Sequence, residues 1–456
     1  MKKVVKVLTL VVTLAFALTL VACSNGPDNS TDTNTNAGNK TSSDSTDKTP
    51  AKSEGSDETA EISFWFNYNA ATAEAEAFEQ VLTEFQDAYP HIKLNIEPVP
   101  AAGDGLMTRV TTALVANDLP DAFQYWGGQA LVEMAEGGLL MDVQEYLDVT
   151  TKIKKEDFGQ AAWDHYSHDG VIRGFATHTA FPSWFANKAI FDEYGLEIPK
   201  TMQDLINIAP TLRENGIIPL AMGSNGSNPA HFFLSELMHQ YDGGTEEIRT
   251  LGQTNQFDTE NLRKTAQMII DLKDANVFPE DTIASGDWGP SWELYNSGKA
   301  AIIFTYPWMY TNMSDEIYAN SVIIDAPVVD GGTVDPSSFV GSFINFGFLV
   351  TQKAWEEKQD AMVEFIDWQL SDRATQIYVD GGGMTPKNMS VDMSNKVYAD
   401  VLDHIQGREY VGSHFTSTLD QDAWLGFQPA CDELFAGALT AEQFAQKVQG
   451  FYDQAK

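Results

Sequence analysis

The order of strands and helices is set within residues 62–99, which read ISFWFNYNAATAEAEAFEQVLTEFQDAYPHIKLNIEPV. Apolar residues alternate with polar neighbours in residues 62–66, which predicts a strand with one buried face. Apolar residues then recur at helical spacing up to Pro90, which ends the helix because proline cannot continue it. Alternation returns in residues 92–96. The order strand, helix, strand indicates a βαβ unit, so we predict a parallel sheet with helices on both faces.

The same succession of patterns continues along the rest of the chain. A helix over residues 106–117 leads to a short apolar run, residues 119–126, that is typical of a buried strand. Further strands are predicted at 217–222, 300–304, 321–329 and 344–351, and further helices at 201–212, 262–272, 354–370, 422–435 and 440–451. The fold class is therefore α/β, with two lobes. Because no clean linker separates them, we expect the chain to cross between the lobes more than once.

The composition excludes several classes of function. The 456-residue chain carries 28 basic and 65 acidic residues, which gives a net charge of −37. Such a charge repels nucleic acid and anionic lipid, which bind basic patches, and it favours a soluble monomer. The chain contains 2 cysteines, Cys23 and Cys431, which excludes a thiolate metal cluster. Cys431 lies among apolar residues at helical spacing and is predicted to be a buried small hydrophobe.

The N-terminus has the pattern of an export signal. Lysines precede an apolar run over residues 7–21, and the segment LVAC at residues 20–23 resembles the lipobox of bacterial lipoproteins. We therefore predict a signal peptide over residues 1–22 and lipidation of Cys23. The run is near the lower length limit for a membrane-spanning helix, and its terminal position fits a signal better. Residues 23–60 are polar and predict a disordered tether from the lipid anchor to the folded body.

Six short motifs occur in an order that resembles a known family. They are ISFW at 62–65, FQDAYPHIKL at 85–94, ANDLPDAF at 116–123 followed by GGLL at 137–140, FANKAIF at 185–191, NSGKAAI at 296–302 and GGGMTP at 381–386. Together they are similar to the family-1 extracellular solute-binding proteins of bacterial ABC importers, typified by the maltose-binding protein. The segment DGVIRGFA at 169–176 lacks the proline usual there. The identity of the solute is therefore left open.

The resemblance implies a two-lobe fold of the periplasmic-binding-protein type II, in which the hinge is crossed about three times. One lobe would hold residues 61–177 and 326–382, and the other residues 178–325 and 383–456. A small-molecule sugar would bind in the cleft between the lobes and be delivered to ABC transporter permease subunits. The protein would be held at the outer face of a bacterial cell membrane, in a Gram-positive organism, through its lipid anchor alone.

Candidate ligand-binding residues follow from the chemistry of sugars. Aromatic rings suit the C–H faces of a sugar and polar side chains suit its hydroxyls. Ligands bind at the carboxyl ends of parallel strands, so tryptophans at strand ends and turns are favoured. Two glycines after Trp126 would let a ligand approach the backbone. The predicted ligand-binding residues are Trp65, Asn67, Trp126, His178, Asp287, Trp288, Trp308 and Trp424. Trp424 is included because it matches a stacking position in maltose-binding relatives, and His178 because it lies near the expected first crossing.

Other interpretations of the same residues stay open at this point. Each tryptophan alone could be a core residue, and the scaffold could bind a polyamine, a phosphate ester or a peptide. A secreted glycan-cleaving enzyme would need a carboxylate pair such as Asp287 and Glu293. His165, His168 and Asp169 have the spacing of metal ligands, but a surface turn explains them better. No EF-hand loop, Walker A motif, nucleophile elbow or HExxH motif occurs, so no catalytic residue, cofactor or metal is predicted.

Overall fold

The structure, a computed structural model, describes residues 60–68, 72–100, 105–341, 343–411, 414–419 and 421–454. The predicted signal peptide, Cys23 and all of the predicted tether except Ala60 lie outside the described residues. Ala60 begins the first strand. Within the described ranges, every helix is too short or too polar to cross a membrane.

The strands in chain order are β1 (Ala60–Tyr68), β2 (Ile92–Pro100), β3 (Ala122–Tyr125), β4 (Ser167–His168), β5 (Val171–Ile172), β6 (Gly174–Ala180), β7 (Ser183–Asn187), β8 (Ile218–Ala221), β9 (Ser224–Asn225), β10 (Asn228–Pro229), β11 (Ala300–Thr305), β12 (Ser321–Ile324), β13 (Phe339–Val340), β14 (Phe343–Val350) and β15 (Glu409–Tyr410).

The helices in chain order are α1 (Ala73–Ala88), α2 (Gly105–Ala116), α3 (Val132–Glu136), α4 (Val143–Val149), α5 (Gln160–His165), α6 (Lys188–Tyr194), α7 (Met202–Glu214), α8 (Ala230–Met238), α9 (Gly244–Thr254), α10 (Glu260–Asp274), α11 (Trp288–Asn296), α12 (Pro307–Tyr310), α13 (Asp315–Asn320), α14 (Gln352–Gln369), α15 (Asp372–Asp380), α16 (Lys396–Ile405), α17 (Phe415–Thr418), α18 (Gln421–Phe435) and α19 (Ala441–Gln454).

The first lobe is built on a 5-stranded sheet with the order β2-β1-β3-β14-β6. Strand β1 pairs in parallel with both β2 and β3, so the predicted βαβ unit is confirmed. The expectation of a wholly parallel sheet is wrong, because β14 runs antiparallel to β3 and to β6. The chain returns from the second lobe along β14, and a strand that enters the sheet from the opposite side runs in the opposite direction.

The second lobe is built on a 4-stranded sheet with the order β12-β7-β11-β8. Strands β11 and β8 are parallel, whereas β7 runs antiparallel to its neighbours β11 and β12. Every residue of β11 is buried, since helices cover both faces of this strand. Such a strand has no polar face, which explains why it appears in the sequence as a continuous apolar run.

Helix α1 shows how the local sequence fixes one element of the first lobe. The side chain of Thr72 accepts a hydrogen bond from the backbone N–H of Ala75 and caps the helix. Its apolar face is buried against the sheet and α15, and the backbone N–H of Tyr89 closes the last turn on the Phe85 carbonyl. The predicted stop before Pro90 is therefore confirmed.

The described chain passes between the lobes at residues 181–182, 325–341 and 381–395. The end of β6, just before the first passage, is tied to the third passage, because Thr179 and Met384 exchange backbone hydrogen bonds of 2.6 and 2.9 Å. The first-lobe sheet extends to Ala180, which is beyond the predicted boundary at 177. Residues 326–340 were predicted to belong to the first lobe, but Ala326 and Val340 pack in the core of the second. The side chain of Gln240 holds this segment through two backbone hydrogen bonds.

Candidate functional site

A cleft between the lobes, with an empty volume of ≈ 1040 Å³ that includes open solvent, brings side chains of both lobes together. All but two of the predicted site residues line it. Those that do are Asn67, Trp126, Asp287, Trp288, Trp308 and Trp424. The other lining residues are Thr72, Glu74, Ala75, Met107, Ala130, Asn228, His231, Phe232, Phe346 and Thr416.

An aromatic corner forms the second-lobe wall. The rings of Trp288 and Trp308 are perpendicular, with centroids 5.3 Å apart. Trp308 stacks on Tyr306 at 4.8 Å with an interplanar angle of 12°, and Phe232 packs against both Trp288 and Tyr306. Each ring therefore packs against the next, and the two indoles line the cleft at right angles to each other.

Local sequence places this corner at the ends of regular elements. Strand β11 ends at Thr305, and Pro307 starts the short helix α12 at the position where proline is favoured. Gly286 has a φ of +74°, which lets the chain turn into α11. The side chain of Asp287 then caps α11 by accepting the N–H of Gly289 at 3.3 Å. Trp288 and Asp287 are therefore presented together at one helix start.

The first-lobe wall includes Trp126, Phe346 and Asn67. Trp126 follows β3 and packs on Phe346 with ring centroids 5.3 Å apart. Asn67 lies near the end of β1, where its backbone N–H donates to Gln124 Oε1 at 2.7 Å. The sequence predicted that the two glycines after Trp126 let a ligand approach the backbone. In the structure both glycines face protein atoms instead. A Cβ added at Gly127 would lie 2.5 Å from His165, and one at Gly128 would lie 2.7 Å from the Ser417 carbonyl.

Trp65 lies outside the cleft, contrary to its inclusion among the site residues. It is 7% exposed and packs in a first-lobe core with Val99 and Leu106, while the guanidinium of Arg109 sits 4.2 Å from its ring centroid. Successive residues of a strand face opposite sides. Trp65 therefore points to the α2 side of the sheet.

His178 is also buried behind the lining, yet it contacts a lining residue. Its Nε2 lies 2.6 Å from Glu74 Oε1. The hydroxyl of Thr177 donates to the Phe346 carbonyl, so His178 Nδ1, 3.1 Å from that hydroxyl, must be the donor to it. One proton then lies between Nε2 and the carboxylate. Glu74 and His178 together carry no net charge in this arrangement.

His231 lies in the second-lobe wall with a fixed tautomer, and its acceptor nitrogen is buried. Its Nδ1 lies 3.0 Å from the Ser227 carbonyl, which can only accept, so Nδ1 carries the proton. Nε2 is then a lone pair, and it has no hydrogen-bond partner among the described residues. Burial lowers the pKa of His231 to about 3, which keeps the ring neutral. Trp424 packs edge-on against this ring at 4.9 Å.

Several lining residues were not found from the sequence. Asn228 and His231 follow β8 within residues 223–231, so the strand-end rule used for the tryptophans would have pointed to them. The carboxylate of Asp432 holds this loop by accepting the Ser224 hydroxyl at 2.6 Å and the Ser227 N–H at 2.8 Å. Met107 and Phe346 carry no local sequence signal, since apolar residues are expected in both elements.

The alternatives considered for the sequence gain no support from the geometry. Glu293 is exposed and does not line the cleft, so it forms no catalytic pair with Asp287. His165 is less exposed than a surface turn implies, and burial lowers its pKa to about 4. In the described ranges, no group of three or more acidic, histidine or cysteine residues is placed to hold a metal ion.

Comparisons with known proteins agree with this architecture. Residues 69–376 match the family model described as bacterial extracellular solute-binding protein. An uncharacterized ABC transporter extracellular-binding protein of Pyrococcus horikoshii is 26% identical over 255 residues, which cover 54% of this chain and 55% of that protein. The chain thus spans about half the length of the curated relatives it matches.

Solved structures resemble the chain over most of its length. A structure from work on xylan utilization by Caldanaerobius polysaccharolyticus has a TM-score of 0.74 at 20% identity and covers 86% of this chain and 99% of its own. A chitin oligosaccharide binding protein has a TM-score of 0.74 at 19% identity and covers 86% of this chain and 98% of its own. These likenesses confirm the predicted two-lobe α/β fold.

Proposed function

Because this chain belongs to the bacterial extracellular solute-binding proteins of ABC transporters, we propose that it is a lipid-anchored receptor for a carbohydrate. It binds the sugar between the lobes and hands it to the permease subunits of an importer, without reacting with it. The observation that carries this proposal is the aromatic corner of Trp288 and Trp308, with the carboxylate of Asp287 beside it.

The chemistry of the cleft favours a sugar over other small solutes. Indole faces match the apolar C–H faces of a pyranose, while Asn67, Asn228 and Asp287 match its hydroxyls. The fold relatives named for xylan utilization and for chitin oligosaccharides support the same class of solute. We infer that the ring packs against the second-lobe corner and that its edges meet polar groups of both lobes.

Closure of the lobes would complete the site. Trp126 and Phe346 belong to the first lobe and the aromatic corner belongs to the second, so a ligand that touches both is fully held only when the lobes are together. Such a ligand shifts an open–closed equilibrium by its extra affinity for the closed state. The permease would then recognise the closed form.

Attachment to the membrane is a separate part of the proposal and has its own test. Cys23 would carry the lipid on the outer face of a Gram-positive cell membrane, and residues 24–60 would form the tether. Expression of the full chain in a Gram-positive host, followed by detergent phase partitioning, should place the wild type in the detergent phase. A Cys23→Ala variant should move to the aqueous phase, and an unchanged distribution would refute lipidation.

Sugar binding is tested by titrating intrinsic tryptophan fluorescence with neutral mono- and oligosaccharides, and with polyamines and peptides. We expect a saturable change with at least one sugar. Trp308→Ala should weaken it about 30-fold or more, as for a central aromatic anchor. The matched control is Trp368→Ala, because Trp368 packs on Phe85 away from the cleft and should leave the affinity unchanged. Saturable binding of a polyamine or peptide, with no response to any sugar, would refute the proposal that the solute is a carbohydrate.

A further inference from the structure

The acidic side chains that line the cleft in the described ranges have no basic counterpart among the lining residues. Glu74 enters from the first lobe and Asp287 from the second, and both are carboxylates. His231 contributes a buried lone pair at Nε2 that has no partner in the described part of the chain. No lysine or arginine is among the described lining residues. The charged side chains of the described walls are therefore acidic, while the amides of Asn67 and Asn228 are neutral and can both donate and accept hydrogen bonds.

The two carboxylates differ in how far their charge is compensated. Glu74 shares a proton with His178, and that pair is neutral as a whole. The carboxylate of Asp287 accepts the N–H of Gly289, at 3.3 Å, and no ion pair joins it to a cationic side chain in the described ranges. Asp287 is therefore the one lining group among the described residues whose negative charge faces the cleft uncompensated.

From these contacts we propose that the cleft selects sugars by charge: it takes neutral or amine-bearing sugars that supply hydrogen-bond donors, and Asp287 excludes uronic acids and sugar phosphates. This inference rests on the proposed function, since it refines which carbohydrates that cleft accepts. A carboxylate or phosphate next to Asp287 meets a like charge in a partly enclosed site, where such juxtapositions are strongly unfavourable. A sugar hydroxyl or ammonium instead donates a hydrogen bond to Asp287.

The carboxylate of Asp287 is placed in the second-lobe wall by its position at the start of α11. Asp287 is fixed as the cap of α11, and the turn before it is held by Gly286 against Pro290. The adjacent loop that carries His231 is anchored by Asp432. A repulsive group on a rigid wall discriminates more sharply than one that can swing away, because the solute cannot be accommodated by rotation.

The test compares matched sugars on the full chain by isothermal titration calorimetry. The probes are glucose with glucuronate and glucosamine, galactose with galacturonate, and xylotriose with its glucuronate-substituted form. We expect the neutral member of a bound pair to bind about 100-fold more tightly than the acidic one, and the amino sugar to bind at least as tightly as the neutral one.

Variants assign the discrimination to Asp287. Asp287→Asn should reduce the neutral-to-acidic affinity ratio about tenfold or more, and Glu74→Gln should reduce it less because His178 already compensates Glu74. The matched control is Glu293→Gln, which makes the same charge change on the exposed side of α11 and should leave the ratio unchanged.

Each outcome decides between the claims. Binding of a neutral sugar and its uronic acid with equal affinity, or an unchanged ratio in Asp287→Asn, overturns charge selection and leaves the sugar receptor standing. Failure of every sugar to bind overturns the proposed function itself, and this inference with it. A fall of about tenfold or more in the neutral-to-acidic affinity ratio of the Asp287→Asn variant, with an unchanged ratio in Glu293→Gln, is the result that charge selection requires.

Discussion

Glu236 should make the stability of this protein fall as the pH rises. Its side chain is 6% exposed in α8, and burial raises its pKa to about 7, although the charge of Arg408 opposes the rise. Its carboxyl sits against the second passage between the lobes, since a Cβ added at Gly341 would lie 2.8 Å from Oε2. Across the described residues, the groups around it also include Asp325 and His404, which lie in the same small polar cavity.

The sign and size follow from proton linkage. Between the ordinary pKa of 4.5 and about 7, the folded state holds a proton on Glu236 that the unfolded state has lost, so stability falls with rising pH. At about 1.4 kcal/mol for each pH unit, the full window corresponds to about 3 kcal/mol of unfolding free energy. The contribution is complete below pH 4.5 and is lost as the pH passes through 7.

Glu236→Gln removes the titrating proton and keeps the shape of the side chain. Urea denaturation at pH 5 and pH 8 should show that the wild type loses about 3 kcal/mol more than this variant does. The exposed Glu293→Gln should behave as the wild type. Equal losses in the wild type and Glu236→Gln would refute the argument that burial shifts this carboxyl.

Three further predictions address the corrected site, the loop anchor and acid stability. Trp65→Ala should lower the unfolding free energy by about 3–5 kcal/mol in urea denaturation, yet leave the sugar affinity of the folded protein unchanged, because Trp65 is a core residue. Asp432→Asn should cost about 1–3 kcal/mol and weaken sugar binding measured by calorimetry, because it loosens the loop that carries Asn228 and His231. His231 has a lowered pKa, so its stabilising effect is present above 6.5 and is lost as the pH falls towards 3; His231→Gln should reduce the loss between pH 7 and pH 4.5 by about 3 kcal/mol in the same denaturation assay.

Elements whose pattern is local were predictable from the sequence. Strand β1 and helix α1 follow from the spacing of their apolar residues and from the helix stop at Pro90. The inclusion of Trp288 and Trp308 among the lining residues follows from their positions at turns. The direction of β14 was not predictable, because nothing in a buried apolar run records from which side the strand enters its sheet. The packing of the segment after residue 325 was not predictable for a related reason, since it is held by hydrogen bonds from the distant Gln240.

Trp65 shows the limit of the strand-end rule. The rule locates the edge of a sheet where a ligand can bind, but it does not say how close to that edge a side chain must lie. In β1 the apolar residues on both faces are buried: Phe64 and Phe66 pack in one core and Trp65 in the other. Trp65 and Asn67 share one face of β1, so the face does not separate them. Asn67 lies near the end of the strand and lines the cleft, whereas Trp65 lies two residues earlier and packs against α2.

Glu74 shows a different limit, in which one residue type satisfies two physical demands. It lies in the first turn of α1, where a carboxylate is favoured by the partial positive charge of the helix N-terminus. That reason is sufficient by itself, so the sequence gives no cause to look further. Glu76 lies in the same first turn, two residues further along the chain. What distinguishes Glu74 from it is the contact with His178, which is more than a hundred positions away. A residue that both favours the start of a helix and lines a cleft can be recognised only when the fold has brought its second partner to it.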